Sequence, residues 1–600
     1  MAALDPHSIA TGWLVACSSA LTTGDVLGLT QLFIPDGWLR DLLLFTWDMR
    51  SLHGRDKISA YLDHRLSKAQ IKDVRLDETQ DYCPRTFPIP QDTSAVGVEL
   101  VFTFECERGH GRGLARLVQD MDGTYRALTL LTQLDDLVGH EERSTLPWRD
   151  DVTHEPDRDM QKEFADYVSG IEANPHVLIV GGAQTGLQLA ARFKQMGIPA
   201  LVIERNARIG DNWRARYPNL TLHTTRQQHT LLYQPYPANW PEFTPRDKMA
   251  QWLELYALSQ DIVVWTSTPL STRPVYDPST RRWTVTLLRG GTAPVTLRPA
   301  HIVLATGTLG APFVPTLPGA SSFRGQCMHS SLYPGGRALA GQRVVVVGAG
   351  QSGSDIAQDL ALNRAGAVTL VQRSTTCVML RDWVGRQVKG AFPEGVPMAA
   401  SDLRFAALPL GLMRATAIAA QDAARRDHEE LHAKLRKGGV SVDLGPEGQG
   451  VYPLVFERYS GAWMDKGCAD HIASGAIQVK ALVSVERLTE TGVVYSDGTE
   501  TAADCVILAT GYTHMRDANA ALFGADLLAR TEPDWGLDDE GEIHGAYRAC
   551  GVPGLWYASG DFSTARIYSK QLALQIKAIE LGMMPGDGVR EGWKEKQRGG

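Results

Sequence analysis

Apolar positions recur at helical spacing from Ser8 to about Leu21, again from about Gly24, and from Asp56 to Leu66. The period then shortens to that of half-buried strands, from Val96 to Glu105, Gly113 to Asp120 and Tyr125 to Gln133. Helices followed by an antiparallel sheet predict an α+β unit over residues 1–145. From Leu146 to Asn174 charges and prolines replace apolar residues, so this stretch reads as a linker, helical in its later part.

After Pro175 one pattern occurs twice. Val177 to Val180 is an apolar run short enough for a buried parallel strand. Gly181-Gly182-Ala183-Gln184-Thr185-Gly186 follows, then a helix to about Met196 and a strand, Ala200 to Ile203, that ends at Glu204. In the second copy, Arg343 to Val347 leads into Gly348-Ala349-Gly350-Gln351-Ser352-Gly353, a helix to about Leu362, and the strand Val368 to Val371. Strand, glycine turn, helix and strand form a dinucleotide-binding unit, with the pyrophosphate at the helix N-terminus. In the first unit Glu204, followed by Arg205, is placed to accept from ribose hydroxyls. Its middle glycine is replaced by Ala183, where the backbone should approach a pyrophosphate closely. In the second unit Gln372 stands at the acid position, followed by Arg373 and Ser374. Loss of a carboxylate beside a gained cation suits a ribose 2′-phosphate, hence NADPH. A long insertion, 382–467, interrupts the second unit. Ala400 to Lys437 within it reads as helical and is heavily charged from Asp422 to Lys437; the insertion is expected to cover a substrate entrance, with a solvated helix pair the alternative for its charged half.

Six hundred residues predict roughly two to four domains. A net charge of −8 and a pI near 6.1 argue against nucleic acid as a partner. The eight cysteines show no Cys-x-x-Cys or metal-ligand spacing, which suggests reduced thiols, a cytoplasmic location and no metal. No basic n-region opens the chain, no apolar stretch reaches about 18 residues, and the end from Lys594 to Gly600 is charged, so no membrane anchor is expected.

Two dinucleotide units are the plan of the flavoproteins with paired dinucleotide-binding domains, whose disulfide-reductase branch needs a redox cysteine pair that this chain lacks. Phe323-Arg324-Gly325-Gln326-Cys327-Met328-His329-Ser330-Ser331-Leu332-Tyr333 matches the F-x-G-x-x-x-H-x-x-x-(F/Y) identifying sequence of the flavin-containing monooxygenases. Baeyer–Villiger enzymes resemble it but usually end it in Trp, where this chain has Tyr333. Leu304-Ala305-Thr306-Gly307 and Leu508-Ala509-Thr510-Gly511-Tyr512 resemble that family's Ala-Thr-Gly hinges. The segment up to Asp561 resembles the one whose Asp reaches the FAD ribityl or phosphate region. The stretch from Trp213, with His223, resembles the plant indole-pyruvate-monooxygenase-like branch; N-oxidising relatives often carry Asn in place of His223.

The resemblance covers roughly residues 175–585. It implies an α/β fold with two Rossmann-type domains: FAD on 175–336 and 501–590, NADPH on 337–500. It also implies O2 as co-substrate and transfer of one oxygen atom to a small organic molecule through a C4a-(hydro)peroxyflavin. The cofactor positions it implies are Gly181, Gly182, Ala183, Gly186, Glu204, Arg205, Trp213, Thr306, Gly307, Gly348, Gly350, Gln351, Ser352, Gly353, Arg373, Ser374, Thr510, Gly511 and Asp561, with His223 and His329 as catalytic candidates. N-oxygenation, 2-oxo-acid decarboxylation and Baeyer–Villiger chemistry stay open, as does a reductase that inserts no oxygen. Residues 1–145 resemble the SnoaL-like cone, which leaves a pocket, a dimerisation surface, a lid or a separate activity as its role.

Overall fold

The computed structural model describes residues 4–89, 92–146 and 158–590. Residues 147–157 of the expected linker and 591–600 at the charged C-terminal end lie outside the described residues.

The N-terminal unit begins with the helix Pro6–Thr23. Asp5 caps it by accepting from the His7 amide, Pro6 opens its first turn, and Gly24 closes it in the left-handed region. The predicted strands are present as Asp92–Glu105, His110–Gln119 and Tyr125–Leu134. They belong to a seven-stranded sheet, not a three-stranded one. Phe33–Leu42, Met49–His53, Lys72–Leu76 and Arg85–Ile89 complete it, and Phe33–Leu42 pairs parallel to Tyr125–Leu134 while every other pairing is antiparallel. The later part of the linker is the helix Met160–Ala173.

Two parallel sheets form the rest of the framework. The first runs Val264–Trp265, Ala200–Ile203, Val177–Val180, His301–Leu304, Leu555–Tyr557. The second runs Gln326–His329, Cys505–Leu508, Arg343–Val347, Ala367–Gln372, Gln478–Ala481. The central strands of the first sheet are buried along their whole length, which is why they read as unbroken apolar runs. The chain crosses between the sheets twice, and the two crossings pair with each other as Leu309–Pro312 against Tyr512–His514. The helix Phe562–Glu580 packs on the helix Gln184–Gln195 and closes the first domain.

The insertion is helical as expected, in five pieces from Arg381 to Lys437. It also returns two short strands, Val442–Asp443 and Ala462–Asp465, to the strand Thr376–Leu380, which the sequence reading did not anticipate. Its charged part is amphipathic: Leu431, His432 and Leu435 are buried.

One apolar cluster is continuous from Trp13 and Phe33 in the N-terminal unit to Phe193, Trp535 and Tyr568. Buried ion pairs cross the same boundary. Asp48 accepts Arg548 at 2.7 and 2.9 Å. Glu99 accepts Arg404 of the insertion at 2.8 Å, together with Arg85 and Arg116 of its own sheet. No helix among the described residues is long and apolar enough to cross a membrane.

Candidate functional site

The two glycine turns are near copies. Gly181 at φ +115° donates its amide to the Ile203 carbonyl at 2.8 Å, and Gly348 at φ +116° donates to Val371 at 2.9 Å. A Cβ on Gly181 would lie 2.4 Å from the Ala305 carbonyl oxygen, and one on Gly348 would lie 2.3 Å from that of Ala509. The two Ala-Thr-Gly segments thus press their alanine carbonyls onto the first glycine of each turn, a role not visible in the sequence. The third glycine is equally fixed: a Cβ on Gly186 or Gly353 would meet the Gly181 or Gly348 carbonyl at 1.9 or 1.8 Å.

The middle position behaves differently. Ala183 (φ −98°, ψ −170°) and Gly350 (φ −92°, ψ −169°) share one extended backbone conformation. A Cβ on Gly350 would meet nothing within 4 Å. Ala183, in that same conformation, lines the cavity.

A cavity of about 950 Å³ runs from the first turn to the start of the second turn's helix at Gln351 and Ser352. Gly181, Ala183, Glu204, Arg205, Trp213, Thr306, Gly307 and Asp561 all line it. Gly182 and the Glu204 carboxylate flank it: Glu204 accepts the Gly182 and Asn206 amides at 2.9 and 2.8 Å, which leaves lone pairs for hydroxyl donors. Trp213 donates its indole N–H to Gln184 Oε1 at 3.3 Å, and Thr306 accepts from Asn519 at 2.9 Å. Asp561 caps the Phe562–Glu580 helix by accepting Thr564 N–H at 2.8 Å, and its other oxygen accepts Gln228 at 2.7 Å. Asp561 thus holds a helix N-terminus at the cavity wall, where the helix dipole favours an anion.

Three buried polar atoms of cavity-lining residues have no hydrogen-bond partner among the described residues: Gln228 Oε1, His229 Nδ1 and Trp463 Nε1. Burial pushes His229 down to about 4, so its neutral ring donates Nε2–H to the Thr224 carbonyl and leaves Nδ1 as an acceptor. Such orphans call for a polar ligand. With the glycine cradle they fit a dinucleotide at the first turn.

At the second turn, Gln372 is buried and its amide is spent on Ser441 and Thr376. Arg373 and Ser374 follow at the surface. Thr510 donates to the Phe313 carbonyl at 2.5 Å and fixes the crossing. The His329 ring is fully used: Nε2 donates to the Gly511 carbonyl at 3.0 Å while Nδ1 accepts from the Ser331 amide at 3.1 Å, and burial lowers its proton affinity. Within the same motif Phe323 covers Gly325, and Tyr333 donates to Asp359 of the second helix at 2.7 Å. The eleven-residue motif thus anchors the edge strand of the second sheet to that sheet's first helix and to the crossing.

His223 lines the cavity and pairs through Nε2 with Asp355 Oδ2 at 2.9 Å. Asp355 sits on the second helix, 2% exposed, and also accepts Tyr217 at 2.6 Å and faces Lys466 at 3.3 Å. Burial opposes its charge, but His223, Lys466 and Tyr217 outweigh burial and hold the carboxyl at about 2. Burial and the Asp355 charge raise the Tyr217 hydroxyl well above its ordinary value.

The far wall comes from the insertion and the segment after it. Tyr452, Phe456, Tyr459 and Trp463 line it with Trp535, whose indole N–H donates to the Val455 carbonyl at 2.7 Å. Arg216 lies in the same cavity over the Trp213 ring at 5.8 Å and forms no ion pair among the described residues. Neither Asp355 nor Arg216 was a sequence candidate: nothing local marks a helical Asp or one Arg of Trp-Arg-Ala-Arg as facing a site.

Residues 176–429 match the flavin-binding monooxygenase-like family. The chain is 31% identical over 341 residues to the indole-3-pyruvate monooxygenase YUCCA1 of Oryza sativa subsp. japonica, covering 56% of this chain and 77% of that protein. To the probable indole-3-pyruvate monooxygenase YUCCA1 of Arabidopsis thaliana it is 29% identical over 339 residues, covering 56% and 75%. Similar solved structures include a flavin-containing monooxygenase from Stenotrophomonas maltophilia (20% identity, TM-score 0.46, 68% of this chain and 99% of that one). The open form of cyclohexanone monooxygenase is another (17% identity, TM-score 0.49, covering 68% and 87%).

Proposed function

This chain belongs to the flavin-binding monooxygenase-like family, and from that premise we propose that it oxygenates a small aromatic acid of the 2-oxo class. FAD and NADP(H) are its cofactors. In this reading FAD lies on the first turn (175–336 and 501–590) and NADPH on the second (337–500). Bound FAD supplies the chemistry with O2. Gly181, Gly182, Ala183 and Gly186 admit its pyrophosphate, Glu204 receives ribose hydroxyls, and the Asp561-capped helix faces its phosphate end. Arg373 and Ser374 receive the NADPH 2′-phosphate, because Gln372 is turned away to Ser441. His329 acts as a positioning residue, since both its ring nitrogens are committed to protein.

The observation that carries the substrate class is Arg216, a cation with no carboxylate partner among the described residues, in a cavity also lined by Tyr452, Phe456, Tyr459, Trp463 and Trp535. A planar carboxylate and a ring match that pair of features. The relatives named for indole-3-pyruvate support the same class. The N-terminal unit, read as a SnoaL-like cone, serves here as a buttress for the cavity wall and not as a second enzyme. Arg548 binds Asp48 and Asp538 three residues from Trp535, and Trp535 holds Val455 in the wall.

The test is turnover with NADPH on aromatic 2-oxo acids against amines, sulfides and ketones, in wild type and Arg216→Leu. Losing a hydrogen bond to a charged group should raise KM for the acid by about tenfold or more, with flavin reduction by NADPH intact. Turnover of neutral amines alone, or an unchanged KM for the acid, would remove the 2-oxo-acid reading.

A further inference from the structure

We propose that Asp355 and His223 work as a pair assembled from both domains, in which Asp355 is a positioning residue. It fixes the His223 ring so that Nδ1 is the nitrogen that hydrogen-bonds a polar group of the cavity's occupant. The inference rests on the monooxygenase reading only for the nature of that occupant.

Four observations carry it. His223 lines the cavity, with its side chain 17% exposed, while Asp355 is 2% exposed. Asp355 accepts through Oδ2 from both His223 Nε2 and the Tyr217 hydroxyl. An ionised carboxylate only accepts, so the Nε2 proton is fixed and Nδ1 remains. No protein atom among the described residues bonds Nδ1.

The carboxylate is itself held from the other side. Lys466 of the insertion stands 3.3 Å from Oδ1, and Gln351, at the start of the same helix, donates to Oδ1 at 3.3 Å. Tyr217 and His223 come from the first domain and Asp355 from the second. The pair therefore exists only in this relative placement of the domains, with the second turn beside the cavity. A buried carboxylate orienting an imidazole whose other nitrogen faces a ligand site is a recurrent device for presenting one nitrogen in one tautomer.

The experiment is a double-mutant cycle on the full-length holoenzyme with Asp355→Asn, His223→Leu and both. Flavin content serves as the folding check. Two constants are measured: the NADP+ dissociation constant, by the change in the flavin absorbance spectrum, and KM for the substrate. Each single change should weaken one of the two by about tenfold, and the double should be no worse than the more severe single, because coupled residues are non-additive. A change confined to NADP+ assigns the Nδ1 partner to the dinucleotide, and one confined to KM assigns it to the substrate; either supports the pair. Effects that multiply in the double overturn it, as do unchanged constants in both singles. If Asp355→Asn loses its flavin, His223→Asn, which leaves the Tyr217–Asp355 bond in place, must move the same constant by itself or the proposal falls. The NADP+ titration needs no product, so it can fail or succeed whether or not the chain proves to be a monooxygenase.

Discussion

Arg40 of the N-terminal sheet grips Glu542 through two bonds of 2.7 Å, and each side chain is only 1% exposed. The same guanidinium donates to the Ala406 carbonyl at 2.6 Å and to the Tyr568 hydroxyl at 2.7 Å, and Ser51 donates to Glu542 at 2.7 Å. One arginine thus ties the N-terminal unit to the insertion, the closing helix and the segment that carries Trp535. Such a pair specifies how parts meet more than it adds net stability, because desolvation offsets the attraction.

Breaking it from one side should therefore be worse than removing it whole. Arg40→Met leaves Glu542 buried without its cation, and should lower stability by about 3–5 kcal/mol. Arg40→Met with Glu542→Leu should recover much of that loss. Thermal unfolding of wild type, Arg40→Met, Glu542→Leu and the double checks it; a double variant that sums two full losses would contradict this reading of the interface.

Acid should loosen the molecule through Glu142, where the described end of the first unit meets the first dinucleotide domain. Burial opposes its charge, but Arg192, Lys570 and Tyr233 prevail and hold the carboxyl at about 2, below its ordinary 4.5. A depressed carboxylate stabilises above the unfolded value and loses that contribution as pH falls from about 4.5 towards 2. Glu142→Gln should lower the melting temperature at neutral pH and flatten its fall over that window. A variant whose melting temperature tracks wild type across the window would show that Glu142 contributes nothing.

The glycine turns give a sharper contrast. A Cβ on Gly353 would meet a carbonyl oxygen at 1.8 Å, whereas one on Gly350 would meet nothing within 4 Å. Gly353→Ala should therefore distort the turn, and NADPH binding should be lost. Gly350→Ala should fold with normal flavin content and melting temperature, changing at most NADPH affinity. Equal damage from both would mean that the middle glycine is held by something other than its ligand.

The proposed role of Arg373 is to distinguish the two coenzymes. Arg373→Ala should weaken NADPH by about 1.5–3 kcal/mol, the worth of hydrogen bonds to a charged group, and leave NADH nearly unchanged. Binding titrations with each coenzyme read this directly. Equal losses would move the 2′-phosphate site elsewhere.

What the sequence disclosed and what it hid follow from how local each signal is. The apolar runs Val177–Val180 and Val344–Val347, with their glycines, are local, and so are the helix ends near Met196 and Leu362. Four N-terminal strands were not. Phe33–Leu42 contains Pro35 and Gly37 where its register shifts, Lys72–Leu76 has no buried position, and Arg85–Ile89 carries Pro88 and pairs with a single neighbour. Arg40 and Glu542 lie 502 positions apart, and Asp355 and His223 lie 132 apart, so no window along the chain could join them. His329 was legible as a motif residue, but only its bond to the Gly511 carbonyl shows that its ring is spent on the crossing.

Oxygen transfer is tested by product analysis under 18O2 with NADPH and an aromatic 2-oxo acid. The expected outcome is NADPH consumption coupled to a product that carries one oxygen atom from dioxygen, including as a decarboxylated acid. Stoichiometric hydrogen peroxide with no oxygenated product from any acid, amine, sulfide or ketone, or a product whose new oxygen comes from water, would contradict it.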